Sequence, residues 1–341
     1  MLNTIYRLVA PRRFEAEFTD ISLSEDAILI RPTHLSICAA DQRYYQGKRA
    51  PEVLKKKLPM ALIHEGIGEV VYDPQEEYVS GTSVVMVPNT PFEKDEIIAE
   101  NYLRSSKFRA SGFDGFTQDI VAIGRDRLVE LPDGINKDVA AYTELVSVAY
   151  HTIDRFIRKS HARKNSIGVW GDGNVGFITS LLLKRRLPDT KVYVFGIDAS
   201  KMADFVFADE TYDVTMIPED LTIDHAFECV GGMASGTAVD QIIDYIAPEG
   251  SIGLMGVSED PVPINTRMVL EKGLTVFGSS RSGVDDFRNT VQFYQEHEDV
   301  VEYLESIIND RIDVRTMEDL TMAFESDIKK TGGKTILHWN R

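Results

Sequence analysis

Cys38, His64, Glu65 and Glu144 are side chains of the types that bind transition metals. Thiolate, imidazole and carboxylate are all good Zn²⁺ ligands, and a catalytic zinc has three protein ligands with one position left open. Cys38 stands just past a strand-like run, in the polar and turn-like "SICAADQRYYQGKR", where a thiolate would be a soft ligand. His64 and Glu65 are adjacent in "LIHEGIGEV", near the start of an apolar run. Neighbours on a regular strand face opposite sides, so the two either do separate jobs or the chain bends there. Residue types alone leave a plainer alternative open: a small buried cysteine and an ordinary strand end.

A second chemical pattern lies in the other half of the chain. Gly171, Gly173 and Gly176 form G-x-G-x-x-G within "WGDGNVG", after the apolar "SIGVW" and before the helical "FITSLLLKRRL". That context gives the glycines meaning as a dinucleotide turn. The first permits the tight turn, the second lets a pyrophosphate approach the backbone, and the third lets helix and strand pack. Asn174 and Val175 open the helix, whose N-terminal N–H groups would meet the phosphates. The ribose-binding position, roughly 20 residues on, falls near Phe195 and Gly196, where no carboxylate stands. Asp198 lies just beyond and would suit NAD; Ser200 and Lys201 would suit the 2′-phosphate of NADP; a solvated loop is the third option. Gly231 and Gly232 in "FECVGG" permit close backbone approach, and Cys229 there reads as a buried strand residue.

These residues need elements to hold them. A chain of 341 residues suits two domains. The first third is β-rich: "AILIRP", "GEVVYD", "TSVVMVP" and "FTQDIVAIG" are short strand-like runs between turn signals. Asp138 to Lys159 changes to helical periodicity and reads as a connector. From Asn165 the grammar is βαβ, which implies a parallel, doubly wound sheet. The expected fold is thus α/β, with a β-rich domain over 1–145 and a dinucleotide-binding domain over 146–282. The segment 283–341 reads as helical and acidic, with "GKTILHW" returning as a strand to the first domain.

Bulk properties exclude other classes. The composition is that of a soluble globular protein, with no apolar run near the roughly 18 residues that span a bilayer. Two distant cysteines make no disulfide scaffold and suit a reducing, cytoplasmic setting. The net charge of −17 argues against nucleic acid and requires local cations for any anionic ligand.

The order "CAAD", "HEGIGEV", "YTELVSVAYH", "WGDGNVG" resembles the zinc-containing medium-chain dehydrogenase/reductase superfamily, across nearly the whole chain. The resemblance implies a GroES-like catalytic domain and a Rossmann domain. It implies one catalytic zinc at Cys38, His64 and Glu144, with Glu65 a ligand or a close neighbour at a bend. The four clustered cysteines that hold a structural zinc in many relatives are missing, so that metal is expected to be absent. Ala40 stands where relatives often carry a proton-relaying Ser or Thr. The relay then falls to a bound water, Glu65 or Asp41, although Asp41 is equally readable as structural.

"SICAADQRYYQGKR", "LPMALIHEGIGEVV", "VVMVPNTPFEKDEIIAENYLRSS", "FGIDASK" and "EKGLTVFGSSRSG" resemble more narrowly the ribulose-5-phosphate reductases. These enzymes make ribitol 5-phosphate for teichoic-acid or capsular polymers. That resemblance implies NADPH, a sugar-phosphate substrate, a companion ribitol-5-phosphate cytidylyltransferase and a dimeric or tetrameric assembly. Arg281, Arg43 and Lys48 are candidate phosphate ligands, with Arg49 and Arg109 behind them, although each taken singly reads more readily as a surface charge. Arg281 is favoured because it follows a strand end of the doubly wound sheet, where ligands collect. Other readings remain: an NAD-linked sorbitol- or threonine-type dehydrogenase, or a non-catalytic nucleotide-binding subunit.

Overall fold

A computed structural model describes residues 1–21 and 24–341. The chain divides into two compact units, Met1–Ser147 with Ser282–Arg341, and Val148–Arg281. The second is thus a continuous stretch inserted between the two parts of the first. No helix of the described residues is long and apolar enough to cross a membrane.

The discontinuous unit is built on an almost wholly antiparallel seven-stranded sheet. Its spine is strand Ala27–Ile37, which pairs with Glu65–Tyr72 on one side and with Lys334–Trp339 on the other. The β-branched and leucine-rich sequence of Ala27–Ile37 suits this place, with Ile28, Ile30, Leu35 and Ile37 all buried. "GKTILHW" therefore does return as a strand. One expectation fails nearby: the stretch after Arg281 is not wholly helical, because Ile308–Val314 is an edge strand parallel to Lys334–Trp339. Its more buried and exposed residues alternate, so most of its charged residues point outward. A second sheet of Arg13–Asp20, Leu2–Ala10 and Met60–Ala61 closes over a core that includes Tyr45, Phe116 and Phe324.

The expected helical connector is two helices, Lys137–Ala140 and Thr143–Lys159. Asn136 caps the first, accepting the N–H groups of Asp138 and Val139 at 3.1 and 3.2 Å.

The continuous unit is a six-stranded, all-parallel sheet. Its order is Glu210–Asp213, Lys191–Gly196, Ser166–Trp170, His225–Glu228, Ser251–Leu254, Thr275–Gly278. Numbered along the chain this is 3-2-1-4-5-6, the doubly wound dinucleotide-binding order. Glu210–Asp213 is too polar for sequence patterning to mark it as a strand. Trp170 stacks on Phe195 with ring centroids 3.8 Å apart, over a layer of buried isoleucines. Burial of each such side chain contributes about 1.5–3 kcal/mol. The strand order reverses between Ser166–Trp170 and Lys191–Gly196 on one side and His225–Glu228 on the other. Ligands of such sheets bind at that switch point.

Candidate active site

The adjacency of His64 and Glu65 is explained by a bend at Ile63. Ile63 has φ +66°, in the left-handed region that a β-branched side chain rarely enters, at a cost of about 1–3 kcal/mol. The strand begins only at Glu65, so His64 lies on the bend and the two side chains can share one centre. The bend is held from both sides: Asp41 Oδ1 accepts the Ile63 N–H at 2.9 Å, and Phe116 N–H donates to the Ile63 carbonyl at 2.7 Å.

Asp41 also joins the cysteine to this bend. Its Oδ2 accepts the Cys38 N–H at 3.1 Å, and its Oδ1 lies 3.7 Å from His64 Nδ1. Cys38 follows strand Ala27–Ile37 and stands at the N-cap of helix Ala39–Tyr45, so much of the polar segment read as a turn is helical. Asp41 is fixed by these bonds as a buried tie between two segments.

One donor atom each from Cys38, His64 and Glu65 lies within 4.8 Å of the others. Glu144, in the first turn of Thr143–Lys159, brings its Oε2 to 3.9 Å from His64 Nε2. His64, Glu65 and Glu144 are buried, Glu65 fully, and Cys38 is partly buried. Burial pushes the Cys38 thiol up, and the Glu65 charge adds to this. Burial raises the Glu144 carboxyl to about 7. Burial opposes charge on His64, but Asp41 and Cys38 outweigh it and hold the imidazole pKa well above its usual value.

Lys334 completes the cluster, from a sequence position that nothing marked. Its ammonium is buried, 2.6 Å from Glu65 Oε2 and 3.2 Å from the Ile37 carbonyl. Among the described residues Glu65 Oε1 has no hydrogen-bond partner. A buried carboxylate oxygen without a partner is costly, and it sits beside a thiol and an imidazole. That donor set suits a zinc ion, which would stabilise the thiolate and the carboxylate together.

In the continuous unit, the three glycines differ in what they exclude. Gly171 has φ +126°, and a Cβ there would meet the Cys229 backbone at 2.8 Å. A Cβ on Gly176 would fall 1.9 Å from the Gly171 carbonyl oxygen. Gly173, which caps helix Asn174–Arg186, faces open space instead. A pocket of about 380 Å³ opens along this turn, lined by Gly171, Gly173, Gly196, Cys229 and Thr237 among others. Glu228 was not foreseen: fully buried, it accepts the N–H groups of Val230 and Gly231 at 2.8 Å and of Gly256 at 3.1 Å. It thereby shapes the loop that carries Gly231. Cys229 is a buried thiol whose pKa burial raises strongly.

Asp198, Ser200 and Lys201 gather just past strand Lys191–Gly196. The Asp198 carboxylate accepts the Ser200 hydroxyl at 2.6 Å and caps helix Ala199–Met202. Lys201 Nζ lies 3.8 Å from it. Arg43 lies on helix Ala39–Tyr45 with Lys48 and Arg49 just beyond it, whereas Arg281 ends the continuous unit with φ +57°. Arg109 donates to the carbonyls of Asp114 and Ala122 at 3.3 and 2.7 Å, which commits it to the fold.

Comparison with known proteins agrees with this architecture. The family models for an alcohol dehydrogenase GroES-like domain and a zinc-binding dehydrogenase match residues 24–133 and 198–296. A ribulose-5-phosphate reductase of Bacillus spizizenii is 56% identical over 339 residues, covering 99% of each chain. Ribulose-5-phosphate reductase 1 of Staphylococcus aureus is 54% identical over the same span. The crystal structure of S. aureus TarJ in complex with NADPH superposes with a TM-score of 0.90 at 49% identity, covering 100% of both chains. On this full-length likeness the chain belongs to the ribulose-5-phosphate reductases of the zinc-containing medium-chain dehydrogenase/reductase superfamily.

Proposed function

We propose that this chain reduces D-ribulose 5-phosphate to D-ribitol 5-phosphate with NADPH, supplying precursors for teichoic-acid or capsular polymers. The observation that carries this reading is the 56% identity to a ribulose-5-phosphate reductase along the whole chain. The setting is cytoplasmic, the assembly a homo-oligomer of two or four chains, and the product passes to a ribitol-5-phosphate cytidylyltransferase.

Cys38, His64 and Glu144 would hold the zinc ion, with Glu65 a further ligand or a close neighbour. When bound, the two cofactors supply Lewis-acid polarisation of the ketone and a hydride for its carbon. Asp41 keeps the Cys38 and Ile63 backbones at fixed separation, so the ligands are set before substrate arrives. Lys334 orients Glu65 by occupying Oε2, which leaves Oε1 to the centre. The proton that completes the alcohol would come from a bound water, or from Glu65 where its Oε1 is not taken by the ion. Gly173 leaves its backbone open to the pyrophosphate, and the first turn of helix Asn174–Arg186, with Asn174 and Val175, turns its N–H groups toward it. Gly231 lets the backbone approach the dinucleotide, and Ser200 and Lys201 receive the 2′-phosphate. A phosphate needs local positive charge against a net −17, for which Arg281 is a candidate in the continuous unit and Arg43 and Lys48 are candidates in the other.

The test is NADPH oxidation with ribulose 5-phosphate beside xylulose 5-phosphate and fructose, repeated with NADH, with zinc measured on the same sample. Preference for ribulose 5-phosphate and NADPH is expected, with at least one zinc per active chain. Equal rates with NADH and fructose would favour a sorbitol-type dehydrogenase. Full turnover in metal-free protein would remove the zinc from the mechanism.

A further inference from the structure

A second group of metal-binding side chains lies apart from the cluster described above. His34 and His338 are direct partners in the antiparallel pairing of Ala27–Ile37 with Lys334–Trp339. Directly paired residues project from the same face, and the two imidazole centroids are 5.0 Å apart. Asp138, on helix Lys137–Ala140, reaches over that face. Its Oδ1 lies 2.9 Å from His338 Nε2 and 3.9 Å from His34 Nε2. One donor atom from each of the three falls within 4.8 Å of the others.

We propose that His34, His338 and Asp138 form a second divalent transition-metal site, a clamp of the Zn²⁺ class on the C-terminal strand. Two ligands each about 2.1 Å from a tetrahedral ion stand about 3.4 Å apart, and the separations of 2.9 and 3.9 Å bracket that value. The 3.9 Å separation is too long for a hydrogen bond, so the His34–Asp138 approach is not accounted for by one.

The surroundings match what ligating histidines need on their far side. The second nitrogen of a metal-bound imidazole is normally held by a carboxylate or another polar group, which fixes the tautomer. His34 Nδ1 lies 3.1 Å from Thr33 Oγ1, and His338 Nδ1 lies 3.4 Å from Asp313 Oδ1. Both rings therefore present Nε2 to Asp138. The other Asp138 oxygen accepts from Arg311 Nε, so an ion would take Oδ1 in place of its hydrogen bond with His338 Nε2. The histidines border a pocket of about 500 Å³, which admits an ion and a water ligand. Glu69 pairs with Arg31 and Lys137, and Arg311 pairs with Glu305 as well as with Asp138, while Arg341 also lines the pocket.

The clamp would tie down the strand that carries Lys334 to Glu65. It uses none of the groups placed at the catalytic centre. The probe is Zn²⁺ added to the purified holoprotein, followed by calorimetry, metal analysis and thermal unfolding. The wild type should bind one more ion per chain than His34→Gln or His338→Gln. At a hundredfold excess over Kd its Tm should rise by at least about 4 °C. Both variants should lose the extra ion and the rise, while keeping their reductase activity. Cys38→Ser should retain the clamp ion and lose it on adding His338→Gln. Equal stoichiometry and equal Tm response in wild type and both histidine variants would overturn the proposal. Zinc-edge anomalous scattering from wild-type crystals gives a reading free of folding defects. A peak between His34 and His338 is expected, and none at saturating Zn²⁺ rules the site out.

Discussion

Lys334 shows how much one buried charge can decide. It is 2% exposed and faces a carboxylate that is fully buried. Replacing one partner of a buried pair leaves the other uncompensated, which costs about 3–5 kcal/mol. Lys334→Met should therefore lose roughly that much in urea unfolding and should also bind zinc less tightly. Adding Glu65→Gln should recover part of the stability but none of the zinc. A loss below about 1 kcal/mol in the single variant would mean that Glu65 is not held as a charge. The glycine turn permits a sharper contrast. Gly173→Ala meets open space and should leave stability nearly unchanged while raising the NADPH KM. Gly176→Ala drives a methyl into the Gly171 carbonyl and should cost about 1–3 kcal/mol or more. An unchanged KM in Gly173→Ala would remove the pyrophosphate from that turn. The glycines were legible because their spacing encodes a local turn. Lys334 was not, because its burial arises from a partner 269 positions away along the chain.

Among the elements, the end of strand Glu65–Tyr72 offers a clean pH test. Asp73 follows it and accepts the N–H groups of Gln75, Glu77 and Tyr78 at 3.0, 2.9 and 2.9 Å, and the Arg125 guanidinium binds both its oxygens. Arg125 is the main cause of a pKa held far below the usual carboxylate value. A depressed pKa adds stability that is complete above the unfolded value near 4, and is lost as pH falls through the folded value. Asp73→Asn should thus cost roughly 2–3 kcal/mol at pH 7, with the gap to wild type closing below pH 4. Urea curves at pH 7, 4 and 2.5 measure this, and a gap independent of pH would refute the assignment. Elements were legible where pattern and environment agree. "SIGVW" is buried on both faces and is strand Ser166–Trp170 without change of bounds. "INDRIDV" misled because an edge strand can hold charges on its outer side, and its pairing comes from Lys334–Trp339. The bend at Ile63 was framed as a question by the sequence, but only Asp41 and Phe116 supply the bonds that stabilise it.

The order of the chain separates two kinds of dependence at the scale of the whole molecule. The nucleotide unit is one continuous stretch, Val148–Arg281, with its own sheet and apolar core. The other unit is completed only by the last residues, because Lys334–Trp339 lies between Ala27–Ile37 and Ile308–Val314. That strand buries Ile336, Leu337 and Trp339, each worth about 1.5–3 kcal/mol, and it delivers Lys334 to Glu65. Their sum is comparable to the whole stability of a typical domain. A chain ending at residue 333 should consequently lose zinc and reductase activity. It should still bind NADPH, because nothing in the continuous unit's sheet derives from the final strand. Metal analysis and an NADPH fluorescence titration on the same preparation decide this. If the shortened chain retained its zinc, the last strand would not be what closes the metal centre. If it lost NADPH binding as well, the inserted unit would depend on its surroundings for its fold.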